Sequence, residues 1–381
     1  MRVLHLILTL ERAGAQEVVR SLIAAHKGQG VESVVAVFID GEVRADIEAL
    51  GVPVHVLGPR EHGIEVPWRF RRELKDIRRR LVALIEAERV DIVQTHLLHT
   101  LDLLAVTLPV PVIWTLHNID YLPEGRSGWP RLKRAAHRWL YRRNRDRFAA
   151  IVSTSDAMLA AVEREIGAGD HVLAIPNGVE LREKSSSEAG TGLRKELGVG
   201  DRDPLILNVG RLTEQKGQIY LVRAMRTVAD EMPGARLLIA GEGELEDELT
   251  AEVRRLNLQE NVFFLGLRTD IPHLLDSVQI FALPSLWEGL SIALLEAMAA
   301  SLPIVATRVS GTDQVLEDGR NGLVIEPRDQ GAIARGLLAL LSDRSMATTL
   351  GETARQKVES EHSSDRVAEQ YLRVYDRIMS S

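Results

Sequence analysis

The stretch that decides how this chain is read is Pro284-Ser-Leu-Trp-Glu-Gly-Leu-Ser-Ile-Ala-Leu-Leu-Glu-Ala-Met-Ala-Ala-Ser-Leu-Pro-Ile-Val-Ala-Thr307. Ile280, Phe281, Ala282 and Leu283 before it form an apolar run of strand length. After Gly289, Leu290, Ala293, Leu294, Ala297 and Met298 recur with helical period, and Pro303 follows the stop. A strand, a glycine loop and a helix in that order aim free N–H groups and the positive dipole end at the sheet edge, which suits a phosphate. Glu288 stands just outside the helix. Glu296 lies five residues beyond Ser291, about 7.5 Å along the axis at ~1.5 Å per residue. One carboxylate can face a sugar and the other a ribose. A plain surface helix with one glutamate near its start and another on its solvent face is the alternative reading of the same spacing.

Working outward, residues 204–210 read as a strand that runs into Arg211-Leu-Thr-Glu-Gln-Lys-Gly217. Arg211 and Lys216 stand five apart in a loop before a helix, an arrangement that can converge two cations on a diphosphate. Surface ion pairs are the alternative. The next strands, 236–240 and 262–265, end on Gly241 and Gly266, which plain turn chemistry would also explain. Residues 303–307 and 321–325 read as strands, and 310–313 as a loop. Val367, Tyr371, Val374 and Ile378 give residues 365–379 a helical period.

The first half repeats the theme. Residues 3–10 form a continuous apolar run of the kind buried on both faces of a parallel sheet. The turn Glu11-Arg-Ala-Gly-Ala-Gln16 follows, with Gly14 able to bring backbone close to a ligand. Strands at 34–38 and 54–57 and a helix at 45–50 continue the βα alternation, which implies a doubly wound parallel sheet. Two further strands end in histidine, at His96 and His117, and ligands of open α/β sheets gather at such carboxyl ends. A hydrogen-bonded core histidine is the alternative at both positions. Residues 150–155 and 172–179 close the series through the turn Pro176-Asn-Gly178. Residues 180–192, rich in Ser, Glu, Lys and Gly, read as a surface linker, so the domain boundary is placed there.

Glu288-x7-Glu296 within Glu-Gly-x6-Glu-Ala-Met-Ala resembles the signature of the family-4 retaining glycosyltransferases. Gly210-Arg211-Leu212 with Lys216-Gly217, Gly14-Ala15-Gln16 and Thr115-x-His117-Asn118 match other parts of the same family. Ala13 and Ser310 depart from its doubled glycines. The resemblance covers nearly the whole chain and is most specific after Pro176. It implies an α/β fold of two facing Rossmann-like domains (GT-B), each with a mostly parallel sheet and a cleft between them. Residues 1–178 would form the acceptor-side domain and 179–362 the nucleotide-sugar domain, with a C-terminal helix in 363–381 crossing back to the first. By the same resemblance His117, Glu288, Arg211 and Lys216 are the catalytic set. The donor would be held by Gly14, Gly210, Arg211, Lys216, Gly241, Gly266, Glu288, Gly289, Leu290, Ser291 and Glu296. Neither a metal nor a cofactor is expected, the substrate being a nucleoside-diphosphate sugar. A nucleotide-sugar epimerase and a non-catalytic nucleotide-sugar-binding protein remain the competing classes.

Length and composition agree with this division. A chain of 381 residues, 45% hydrophobic and 27% charged, suits two soluble domains. The absence of cysteine removes disulfides, thiolate nucleophiles and cysteine zinc sites, and fits a cytoplasmic medium. No apolar run is long enough to span a bilayer and no leader pattern opens the chain. Residues 1–178 carry 24 basic and 22 acidic side chains, a balance of +2. The remainder carries 23 and 32, a balance of −9, which together give the net −7. Nine basic residues fall between Arg126 and Arg147 against the single acid Asp146. Leu132, Ala136, Trp139 and Leu140 lie on one helical face there, so the segment reads as a basic amphipathic helix. A second basic cluster occupies residues 69–80. A solvated basic face is the plain reading of both. An anionic lipid surface or anionic acceptor is the sharper one, with the protein peripheral on the inner face of the membrane. Nucleic acid is not expected, because no recognition module or interleaved aromatics accompany the charge.

Overall fold

A computed structural model describes residues 1–58, 67–96, 98, 101–117, 131–182 and 189–380. The chain divides into two compact units, Met1–Gly178 together with Ser364–Ser381, and Val179–Ser363.

The first unit is built on β1 (Arg2–Thr9), β2 (Glu32–Ile39), β3 (Val54–Val56), β4 (Ile92–His96), β5 (Val112–Leu116), β6 (Ala150–Ser153) and β7 (Val172–Ala174). All pairs are parallel, in the order β3-β2-β1-β4-β5-β6-β7. The order reverses between β1 and β4, and that switch point is where such sheets bind ligands. The continuous apolar run of β1 is needed because both faces are covered. Leu4 and Leu6 join one core with Val93, Trp114 and Ile151. Val3, on the other face, packs with Ile92, Ile113, Val152 and the C-terminal helix.

That helix, Ser364–Met379, buries Val367, Ala368, Tyr371, Val374 and Tyr375. Its Tyr375 hydroxyl donates to Gln94 Oε1 at 2.5 Å, and Gln94 Nε2 donates to Thr115 Oγ1 at 2.9 Å. Buried amide and hydroxyl groups on β4 and β5 thereby find the partners that burial demands. Gly178 lies close against Val367 and Ser364, so a side chain at 178 would collide with the entry of the helix.

The second unit holds β8 (Leu205–Val209), β9 (Arg236–Ala240), β10 (Val262–Gly266), β11 (Ile280–Leu283), β12 (Ile304–Thr307) and β13 (Leu323–Ile325). The order is β10-β9-β8-β11-β12-β13, again all parallel, with its switch between β8 and β11. Alternate residues feed two cores: Leu205, Leu207 and Phe281 on one face, Ile206, Leu237 and Ile239 on the other.

Three local expectations need correction. The helix after Gly289 is Ile292–Ala299. It starts beyond Leu290 because Ser291 is its N-cap, the hydroxyl accepting from Leu294 N at 3.4 Å. The expected linker 180–192 overlaps a helix, Ala189–Leu197, and residues 183–188 lie outside the described set. The basic helix is Arg131–Asn144, followed by a 3₁₀ turn at Arg145–Arg147, and residues 118–130, Arg126 among them, lie outside the described set. Its buried face is not the expected apolar stripe. His137 and Tyr141 face inward, where Tyr141 packs on Trp114 at 4.9 Å between ring centroids, while Ala136, Trp139 and Leu140 are exposed. Aromatic contact with a buried tryptophan outweighs the nominal hydrophobicity of the stripe.

Candidate active site

In the second unit, the carboxyl-end loops contact one another from β10 across the switch point to β12. Gly210 follows β8, and its N–H donates to Ala240 O at 3.0 Å. Gly241, at φ +141°, donates to Gly266 O at 2.8 Å. A Cβ on Gly241 would stand 2.1 Å from Gly210 O, so these glycines are explained by backbone contact across the ends of β8, β9 and β10. Gly217 (φ +63°) lets the loop after β8 press on Pro284 O, where a Cβ would sit at 2.3 Å. Leu286 N then donates to Gln215 O at 2.8 Å.

Glu288 is the centre of these contacts. Lys216 Nζ donates to its Oε2 at 2.5 Å, Ser285 Oγ to the same oxygen at 3.1 Å, and Gln215 Nε2 to Oε1 at 3.3 Å. Both members of the ion pair are largely buried, at 15% and 11% side-chain exposure, so removing either would leave its partner buried without a counter-charge. Ser310 Oγ and Gly311 N both donate to Glu288 O, at 3.0 and 3.2 Å. Gly311 packs so tightly that a Cβ there would overlap Gly289 O at 1.7 Å. Gly289 itself faces open space.

Lys216 and Glu288 were expected to serve different parts of a donor, and the structure ties them into one pair. Arg211 is exposed, and its side chain has no ion pair or hydrogen bond among the described residues. Its carbonyl accepts from Gln218 Nε2 at 3.0 Å, which fixes the backbone beneath it. Leu290 and Ser291 are buried and Glu296 is half-buried on the helix Ile292–Ala299. Buried hydroxyls of Thr213 and Thr312, on the loops after β8 and β12, have no hydrogen-bond partner among the described residues. Gln215, Ser285 and Ser310, which orient Glu288, carry no motif that would single them out in the sequence.

In the first unit, Gly14 opens the helix Gly14–His26 directly above β1. Gln16 is buried there, donating from Nε2 to Thr9 O at 3.1 Å, while its Oε1 has no partner among the described residues. His96 ends β4, and His117 follows the last residue of β5. The two join at 3.0 Å between His96 Nδ1 and His117 Nε2, and His96 Nε2 meets His5 Nδ1 at 3.3 Å. Burial pushes the pKa of His117 down to about 4 and that of His5 to about 3. His96, buried between two other imidazoles, lies well below the ordinary value. All three rings are neutral at pH 7. Nearby, Asp102 is buried with Oδ1 accepting from Thr95 at 2.6 Å, and burial raises its pKa to about 8. His5 and Asp102 were missed in the sequence.

Among the described residues no group of three or more His, Cys, Asp or Glu is arranged to hold a metal ion, and no helix is long and apolar enough to cross a membrane.

Two parallel α/β units with their candidate residues at the switch points define a protein of two Rossmann-like domains. The family described as "Glycosyltransferase Family 4" matches residues 12–183, and "Glycosyl transferases group 1" matches residues 191–357. An uncharacterized glycosyltransferase of Methanocaldococcus jannaschii is 35% identical over 54% of this chain, and the chain spans about half of that relative's length, 54%. The UDP-Gal:alpha-D-GlcNAc-diphosphoundecaprenol alpha-1,3-galactosyltransferase of Escherichia coli is 30% identical over 73% of each chain. Among solved structures, Anabaena HepE in complex with UDP and glucose superimposes with a TM-score of 0.82 at 21% identity, covering 98% of this chain and 99% of that one. The chain belongs to the family-4-type glycosyltransferases of the GT-B fold.

Proposed function

We infer that the protein moves a sugar from a nucleoside-diphosphate sugar to an acceptor hydroxyl with retention of anomeric configuration. The observation that carries this reading is the cluster at the second switch point, where an unpaired guanidinium, a lysine–glutamate pair and a helix N-terminus occupy neighbouring loops. Solved relatives described as complexes with UDP and with UDP-glucose support a donor of this class.

In the reaction, the bond from the anomeric carbon to the diphosphate oxygen breaks and a bond to the acceptor oxygen forms on the same face. The acceptor proton passes to the departing phosphate. Arg211, Lys216 and the N-terminus of Ile292–Ala299 stabilise the charge that develops there, without calling on a metal. Glu288, oriented by Lys216, Ser285 and Gln215, accepts from donor-sugar hydroxyls. Glu296 accepts from the ribose, and His117 positions the sugar.

The acceptor is proposed to be lipid-linked, with the protein resting on an anionic membrane surface from the cytoplasmic side. Two observations favour this: Trp139 and Leu140 project from a basic helix, and relatives include enzymes named for diphosphoundecaprenol and phosphatidylinositol acceptors.

A panel of UDP-, GDP- and ADP-sugars tests the assignment by release of nucleoside diphosphate and appearance of a glycosylated acceptor. Arg211→Ala, which removes no ion pair or side-chain hydrogen bond among the described residues, is expected to lower turnover ~10², about 3 kcal/mol of charge stabilisation. Full turnover in that variant, or epimerised donor as the sole product, would refute the reading.

A further inference from the structure

His117 is the end of a longer line of hydrogen bonds. Ser33 Oγ on β2 lies 3.5 Å from His5 Nε2, His5 Nδ1 lies 3.3 Å from His96 Nε2, and His96 Nδ1 lies 3.0 Å from His117 Nε2. The rings follow one another, His5 stacked on His96 with centroids 5.5 Å apart and His96 tilted against His117 at 5.3 Å. The parallel register puts them there: His5 is level with Gln94 and His96 with Thr115, so His5, His96 and His117 all project from one face. His117 Nδ1 is buried and has no partner among the described residues. Ser33, at the other end, lines a cavity of about 300 Å³ bordered by Arg2, Lys27 and Glu32.

A neutral imidazole has one N–H and one lone pair, so the proton on one ring dictates that on the next. Only two arrangements make every contact a hydrogen bond. With protons on Nδ1, donation runs from Ser33 toward His117, which ends in a buried N–H. With protons on Nε2, donation runs from His117 to His96, to His5 and to the Ser33 hydroxyl, and His117 ends in a lone pair. Unpartnered buried N–H groups are rarer than acceptors with spare capacity, so the second arrangement is the favoured one.

We propose that Ser33, His5 and His96 are positioning residues that fix the tautomer of His117, so that its buried Nδ1 is presented as an acceptor for a hydroxyl of the bound sugar. The identity of that ligand rests on the glycosyltransferase reading, whereas the proton order of the chain does not. The serine hydroxyl is the terminus that sets the direction, because it can receive the last proton.

The test is ¹⁵N correlation spectroscopy of the histidine rings in the whole, ligand-free protein, with through-bond couplings across the N–H···N contacts. All three rings are expected to be neutral, with the proton on Nε2 and couplings linking His5 to His96 and His96 to His117. Ser33→Val fits a strand and removes the terminal acceptor. Both directions then leave one unpaired N–H, and His117 Nδ1 is expected to shift from unprotonated to partly protonated, three contacts along the line from the change. A wild-type His117 protonated on Nδ1, neighbouring rings of opposite sense, or a His117 signature unchanged in Ser33→Val would each overturn the proposal. None of these results bears on sugar transfer, which is measured separately by product.

Discussion

At the scale of single residues, the glycines around Glu288 separate structural from functional roles. A methyl group at Gly311 would overlap Gly289 O, and no flexible side chain is there to yield. Gly311→Ala is therefore expected to destabilise by at least the ~1–3 kcal/mol typical of overpacking, read as a lower denaturant midpoint at constant m-value. Gly289 has nothing within 4 Å of its Cβ position. Gly289→Ala should leave the midpoint within about 0.5 kcal/mol yet weaken donor binding, because the open space is where the donor phosphate and sugar would lie. Equal donor affinity in that variant, measured by calorimetry, would move the donor elsewhere. Lys216 and Glu288 were each singled out in the sequence, but their pairing was not. They are 72 residues apart, and only the adjacency of β8 and β11 brings their loops into contact.

At the scale of elements, the helix Arg131–Asn144 shows where periodicity misleads. Of the stripe read in the sequence, Ala136, Trp139 and Leu140 face solvent, and Trp139 is 62% exposed. Arg138 is spent internally, donating to both carboxylate oxygens of Glu165 at 2.8 and 3.0 Å, and Arg142 donates to the carbonyls of Glu165 and Arg164. Arg143 stays beside the Trp139 ring at 5.7 Å. An exposed indole beside a cation suits the lipid headgroup region. Trp139→Ala with Leu140→Ser is expected to abolish flotation with liposomes rich in anionic lipid while leaving the fold unchanged by circular dichroism. Flotation that persists in this double variant, or never occurs in the wild type, would remove the membrane partner.

At the scale of the molecule, the first unit concentrates buried titratable groups, and their pKa shifts predict an optimum of stability. Asp102 is protonated when folded and ionised when unfolded between its ordinary 3.8 and about 8. The folded state binds the extra proton in that window, so this contribution falls as pH rises through it. His5, His26 and His117 act in the opposite sense, lowered by burial to about 3, 4 and 4 from 6.5. Below pH 6.5 the unfolded chain takes up protons that the folded rings refuse, so stability is lost as pH falls toward 4. A lowering from 6.5 to about 4 corresponds to roughly 3 kcal/mol per ring at most. Hydrogen-exchange protection of the β4 and β5 amides should therefore peak near about pH 6–7. Asp102→Asn should remove the alkaline decline and leave the acid one. A flat profile would show that these rings and the carboxyl are hydrated in solution.

The sequence by itself determined the repeated βα units, the two-domain frame and the family. Strand periodicity, glycine turns and the spacing of Glu288 from Glu296 or Arg211 from Lys216 are local properties of the chain. The tertiary structure alone decided the lysine–glutamate pair, the outward face of the basic helix and the histidine line from Ser33 to His117. Each of these depends on which strands lie side by side and in what register. That choice is made by burial summed over a whole sheet, and no short stretch of sequence records it.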